Sequence, residues 1–289
     1  QIVHGDSSLG LPWNLGQFGS NTSFTMTRTN YVAAMDALRK LKEIAAIEFG
    51  GSAEDYDVSG ENVFNKSNPS RRMSYARAAQ KAIELGGAYS GHNVPDDINA
   101  MTARAVAGLV DTGLIGVARD NMGQRGMVPA LAVGFIEIEL DVETGKVEII
   151  DYLGVADCGT VTHPQGLATQ IKGGAVMGFG MALTERHLYD DVWGLPGSVG
   201  LYQAKPPSYL DVPSEMGWAA VNIADPENPV GSKGIGEPVM GCSAAALLCA
   251  ISEALEGHYF NRTPVVTDMI VNAYSGQPQS HTPLQVNTQ

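Results

Sequence analysis

Apolar residues recur at three-to-four spacing from Asn30 to Ile47 (Val32, Met35, Leu38, Leu41, then Ile44 or Ala45), which predicts a helix with one buried face. Ser74 to Leu85 repeats the pattern on a shorter scale. Met101 to Asp111 predicts a further helix, followed by a short strand over Gly113 to Ala118, while Asp55 to Ser67 predicts a short strand and turn. The period then falls to two in Phe135-Ile136-Glu137-Ile138-Glu139-Leu140, the mark of a half-buried strand within Val128 to Leu140. Asp141 to Lys146 predicts a hairpin turn, and Val147 to Val155 the returning strand. Helices are expected from about Gln165 to Arg186 and from Val239 to Leu255. Between them Leu188 to Asp225, aperiodic and rich in prolines and aromatics, predicts an ordered coil, and Ser275 to Gln289 a polar extended tail. Interleaved helices and strands with an antiparallel hairpin give an α+β class, mixed in order. Two intertwined subdomains are expected, about 1–125 and 126–275, with a tail over 276–289.

Composition narrows the picture. With 289 residues, 44% of them hydrophobic and 17% charged, the chain can bury a real core in one large domain or two ordinary ones. A net charge of −13 leaves no basic stripe to neutralise phosphates, so a nucleic-acid binder is excluded. Three scattered cysteines (Cys158, Cys242, Cys249) are too few for a disulfide framework or an iron–sulfur or zinc set. The most apolar run, Ala244 to Leu255, is short for a membrane span and carries Glu253; with no signal peptide visible, a cytoplasmic location is expected. Ile2-Val3-His4-Gly5-Asp6 reads as a strand and turn already under way, hence the expectation of a subunit whose N-terminal half lies on another polypeptide.

Four stretches carry candidate chemistry. Residues 11 to 29 form a glycine, serine and threonine loop that opens the first helix; it reads first as an ordinary capped helix after a surface loop, and it would also suit an anionic ligand. Asp157-Cys158-Gly159 ends the returning strand before Thr162-His163-Pro164. In the helix beyond, Gly174, Gly178 and Ala182 make one small-residue face with Gln170 a turn earlier, open to a ligand or to another helix. Gly231-Ser232-Lys233-Gly234-Ile235-Gly236-Glu237-Pro238 is a glycine loop that delivers a single carboxylate to a helix mouth. Walker, dinucleotide, zinc and serine-hydrolase motifs are all absent.

Taken in order, Gly19-Ser20-Asn21-Thr22-Ser23, Asp157-Cys158-Gly159 with Pro164, Gln170 to Ala175 with Gly178 and Gly180, and Gly231 to Pro238 resemble the C-terminal half of the large molybdenum subunit of the xanthine dehydrogenase and aldehyde oxidase family. The resemblance implies a molybdenum cofactor, a pyranopterin either plain or as the cytosine dinucleotide, and no direct protein ligand to the metal. By position, Glu237 matches the family's catalytic base, Gln170 a glutamine that hydrogen-bonds at the cofactor, and Ser20, Asn21, Thr22 and Ser23 the loop that contacts the pterin and its phosphate. Gly234 and Gly236 would let backbone pass close to the cofactor. Asn21 stands where many relatives carry arginine, and Met177 where many place a glutamine.

The implied activity is insertion of water-derived oxygen at an electron-poor carbon of an N-heteroaromatic compound or aldehyde. Implied partners are a second molybdenum-subunit polypeptide carrying the N-terminal half, an iron–sulfur subunit with [2Fe-2S] clusters, and an FAD subunit. Hydration or reduction of another activated ring with the same cofactor is one alternative. A non-catalytic scaffold is another, against which Glu237 and Gln170 together argue.

Overall fold

The computed structural model describes residues 16–123 and 125–281. Their Cα positions form two compact units, one containing Phe24–Arg125 and the other joining the short segment Gly19–Ser23 to the chain from Gly126 onward. The expected strand at Ile2 to Asp6 and the last residues of the expected tail lie outside the described residues.

In the first unit a long helix, α1 (Thr22–Phe49), is followed by a three-stranded antiparallel meander of β1 (Tyr56–Ser59), β2 (Asn62–Asn65) and β3 (Arg72–Ser74), then α2 (Tyr75–Leu85) and α3 (Ala100–Ala107). Ile44 and Ala45 of α1, Tyr56, Val63 and Met73 of the sheet, and Ala78 and Ala82 of α2 form its core. Helix α1 begins at Thr22, well before the expected Asn30. The hydroxyls that read as a loop return to their own helix instead: Thr27 Oγ1 donates to Phe24 O and Thr29 Oγ1 to Thr25 O, each at 3.1 Å. No strand forms over residues 113–118. There the backbone is held by side chains, with Lys40 Nζ donating to Ile115 O at 2.8 Å and Asp36 Oδ2 accepting from Val117 N at 2.9 Å. Lys40 is 2% exposed and pairs with Asp36 at 2.7 Å, so a buried ion pair does the work a sheet partner would have done.

The second unit is built on the predicted hairpin, β4 (Ala132–Asp141) and β5 (Lys146–Asp157), with one register shift beside Glu137 and Ile138. A third strand, β6 (Gly217–Val221), adds in parallel to β5 inside the segment expected to be coil. Gly-Trp-Ala-Ala-Val is too short to declare itself; β5 supplies the hydrogen bonds that make it a strand. Helix α4 (Pro164–Leu183), a single turn α5 (Leu201–Ala204), α6 (Glu237–Ala254) and α7 (Thr267–Tyr274) complete the unit. Beyond α7, the Gln279 amide donates to Met269 O at 3.0 Å, which ties down part of the expected tail.

The small-residue face of α4 is a helix–helix seam. A Cβ on Gly174 would lie 2.6 Å from Gly236 O, and one on Gly178 would lie 2.5 Å from Met240 O, so α6 approaches backbone to backbone. Under the seam Tyr152 packs edge-on to Phe179 at 5.3 Å. Ser243 Oγ donates to Val239 O at 2.6 Å, which leaves the Tyr152 hydroxyl to donate to Ser243 Oγ at 2.5 Å. Burial pushes the Tyr152 phenol up to about 12, so it stays a donor. Among the described residues α6 alone is long and apolar enough, by length and composition, to cross a membrane, and it runs beyond the apolar stretch read from sequence. Its buried residues Val239, Ser243, Leu247 and Ile251 repeat every fourth position and seat it in this core.

The seam sets the first expected outcome. Gly178→Leu should cost about 1–3 kcal/mol by overpacking. Gly173→Ala, where a Cβ meets nothing within 4 Å, should be neutral or stabilising. Denaturant unfolding of the two variants distinguishes them.

Candidate functional site

The candidate residues gather within the second unit, where β5 runs out. Cys158 O accepts from Lys233 N at 2.8 Å and Gly231 O from Thr160 N at 2.7 Å, so Gly159 and Ser232 form an isolated antiparallel bridge. Two motifs some seventy residues apart in sequence thus become one paired structure. Lys233 Nζ locks it, bonding Asp157 Oδ2 at 2.7 Å and Pro129 O at 3.2 Å, with Asp225 at 3.7 Å. Burial pushes the Asp157 carboxyl up, but the Lys233 ammonium and the Gly159 amide outweigh it and hold it below the usual carboxylate range. The sequence left the partner of Lys233 unnamed; the structure identifies it as Asp157.

From Lys233 the chain turns through Gly234 and Gly236 into α6. Gly234 abuts the Ser20 carbonyl so closely that any side chain there would overlap it. Gly236 has φ +139, a conformation favouring glycine, and a Cβ there would lie 2.8 Å from Gln170 Oε1. Ser20, itself left-handed at φ +52, reaches the first residue of α6 with its hydroxyl: it accepts from Glu237 N at 3.1 Å and donates to Glu237 Oε2 at 3.4 Å. Glu237 is exposed, in the first turn of α6. Gln170 is exposed on α4, and its amide has no protein hydrogen-bond partner among the described residues.

Ser20, Gln170, Gly234, Gly236 and Glu237 are therefore brought together from three separated stretches. Asn21 directly precedes α1, and Thr22 and Ser23 lie in its first turn. Met177, exposed, follows Gln170 by about two turns of α4. Sequence reasoning missed the clamp of Ser20 on Glu237, because no local pattern links positions so far apart. Cavities of about 690 and 790 Å³ elsewhere in this unit, one beside Arg186 and Arg262, the other beside Lys146 and Asp211, are lined by none of these residues. Among the described residues no group of three or more His, Cys, Asp or Glu side chains could hold a metal ion directly.

The model of a molybdopterin cofactor-binding domain matches residues 1–213 of this chain. The chain belongs to that family. Glu237 and the glycine loop lie beyond the matched stretch, within alignments to longer relatives. The chain is 26% identical over 277 residues to the 6-hydroxypseudooxynicotine dehydrogenase complex subunit gamma of Paenarthrobacter nicotinovorans, covering 95% of this chain and 32% of that protein. It is 33% identical over 126 residues to the xanthine dehydrogenase molybdenum-binding subunit of Escherichia coli O157:H7, covering 44% of this chain and 17% of that one. The crystal structure of the Cu,Mo-CO dehydrogenase superposes with TM-score 0.67 at 21% identity, over 92% of this chain and 31% of that one. That likeness establishes the α+β fold of molybdopterin-binding subunits. This chain spans at most about a third of the length of these relatives.

The Asp157 carboxyl also fixes a pH dependence. A carboxyl held low in the folded state contributes stability that is full above its unfolded value near 3.8 and is lost as pH falls through the lower folded value. Lys233→Met removes the partner and should cost about 2–4 kcal/mol at neutral pH. The gap between the variant and the unsubstituted chain should close as pH drops below 4, read by denaturant unfolding at a series of pH values.

Proposed function

We propose that this chain is the molybdenum-cofactor-binding part of a multi-subunit hydroxylase. Its reaction would insert water-derived oxygen at an electron-poor carbon of an N-heteroaromatic compound or aldehyde. The observation that carries the reading is the convergence of Ser20, Gln170 and Glu237 around two glycines in a chain of the molybdopterin cofactor-binding family. The residues fit such a cofactor. Gln170 offers an unpaired amide, and Gly236 keeps clear the space that a side chain would fill beside it. When bound, the cofactor supplies the redox chemistry, accepting two electrons from the substrate.

The chain's own groups do the rest. Glu237 is the proton acceptor: Ser20 Oγ engages Oε2, which leaves Oε1 to take the proton from the attacking oxygen. Ser20 also fixes the Glu237 backbone, so the carboxylate is aimed before substrate arrives. Gln170 can donate and accept at the cofactor. Asn21, Thr22 and Ser23, at the first turn of the 28-residue α1, suit a phosphate with backbone N–H groups and hydroxyls. Gly234 and Gly236 permit close backbone approach. Electrons then leave to [2Fe-2S] clusters and FAD on partner subunits. The relative named as one subunit of a dehydrogenase complex supports that division of labour.

Metal and nucleotide analysis of the native complex tests the reading. Molybdenum is expected, with cytidine monophosphate released on hydrolysis if the cofactor is the dinucleotide; absence of molybdenum refutes it. Glu237→Gln should lower turnover by about a thousandfold with molybdenum content unchanged. Near-normal turnover would remove Glu237 as the base.

A further inference from the structure

Among the described residues six glycines lie inside α-helices: Gly166, Gly173, Gly174, Gly178 and Gly180 in α4, and Gly241 in α6. Glycine is a poor helix former, so each needs a reason. Four have one in packing. A Cβ on Gly166 would lie 2.9 Å from His163 Nδ1, one on Gly180 would lie 2.7 Å from Pro207 Cδ, and Gly174 and Gly178 meet the backbone of α6. Gly173 and Gly241 have no such neighbour. Both are exposed, neither has a left-handed φ, and a Cβ on either would meet no described atom within 4 Å.

Their positions supply the reason. Gly173 follows Gln170 by three residues on α4, and Gly241 follows Glu237 by four on α6, the spacings that stack side chains on one helix face. A helical Cα–Cβ bond tilts toward the N-terminus, so a side chain at 173 would lean over Gln170 and one at 241 over Glu237. Gln170 and Glu237 belong to one cluster. A Cβ on Gly236 would lie 2.8 Å from Gln170 Oε1 and 3.5 Å from Ser20 Oγ, the atom that bonds Glu237. Two helices thus each leave out a side chain one turn beyond a candidate residue, at a cost in helix propensity that no contact among the described residues offsets.

We propose that Gly173 and Gly241 are clearance positions of the candidate site, whose missing side chains make room for the molybdenum cofactor beside Gln170 and Glu237. The inference rests on the reading above that this chain binds that cofactor.

Clearance has a signature that packing lacks. Leucine at either position fills volume that a bound group would need, yet without that group it stands in water and is a better helix former than glycine. Cofactor loading and the stability of the cofactor-free protein should therefore move in opposite directions. A glycine that packing requires loses both when it is replaced, as at Gly178.

The test uses the complete complex carrying Gly173→Leu or Gly241→Leu in this chain, purified from cells that make the cofactor and from cells that cannot. Molybdenum per complex should fall about tenfold in either variant, the scale of an overpacking clash. In the cofactor-free form the thermal midpoint should hold or rise. Gly173→Ala, with its single carbon, should lose about twofold or less. Ala254→Leu, exposed at the far end of α6, should change neither quantity. Full molybdenum content in one leucine variant overturns the assignment of that glycine, and in both it overturns the proposal. A thermal midpoint that falls in the cofactor-free form also overturns it, assigning the glycines to packing within the complex. An unsubstituted complex without molybdenum refutes the hydroxylase reading and this inference with it.

Discussion

The join between Cys158–Gly159–Thr160 and Gly231–Ser232–Lys233 is the constraint on which the candidate site depends. It is a backbone-to-backbone contact made possible by two glycines and fastened by the Lys233–Asp157 ion pair. Neither half would hold its shape alone. Gly159 abuts the Gly231 carbonyl so tightly that a side chain on Gly159 would force them apart, and one on Gly231 would run into Thr160 and Ala224. Once the join is made, the direction in which Gly234 to Gly236 leave it is set, and so is the start of α6. The glycine seam between α4 and α6 then fixes the second coordinate of that helix, placing Gln170 beside Gly236.

Polar groups in this unit are spent economically. Tyr152, Ser243 and the Val239 carbonyl form a short chain of donors and acceptors under the seam, which satisfies every hydroxyl in it. At the surface the pattern reverses: Gln170 and the second oxygen of Glu237 are left without protein partners among the described residues. A glutamine and a carboxylate are thus left open at a glycine-lined turn, in a chain of the cofactor-binding family.

Much of this was legible in the sequence, and the limits have physical causes. The hairpin was legible because Phe135 to Leu140 alternates strictly and Thr144-Gly145 marks the turn. Helices α2, α4 and α6 were legible from their apolar spacing, although α4 closes at Leu183 where the pattern ran on to Arg186. Strand β6 was not, because a five-residue parallel edge draws its identity from β5. The strand expected over residues 113–118 failed because Lys40 and Asp36, distant in sequence, satisfy that backbone first. At the site, Ser20, Gln170, Gly234, Gly236 and Glu237, drawn from three separate motifs, lie together. The Ser20 clamp stayed hidden because its two partners are linked only by the fold.

The register shift in the hairpin carries a consequence of its own. Along β4 the even-numbered residues face the helices throughout. Along β5 the inward positions are odd near the turn, at Val147 and Ile149, and even beyond it, at Tyr152, Gly154 and Ala156. Ile150 is the extra residue that changes the phase. Without it Asp151, Leu153 and Val155 would point into the core, and Tyr152 would face away from Ser243. One inserted residue therefore decides which half of a strand becomes interior and on which side Asp157 meets Lys233.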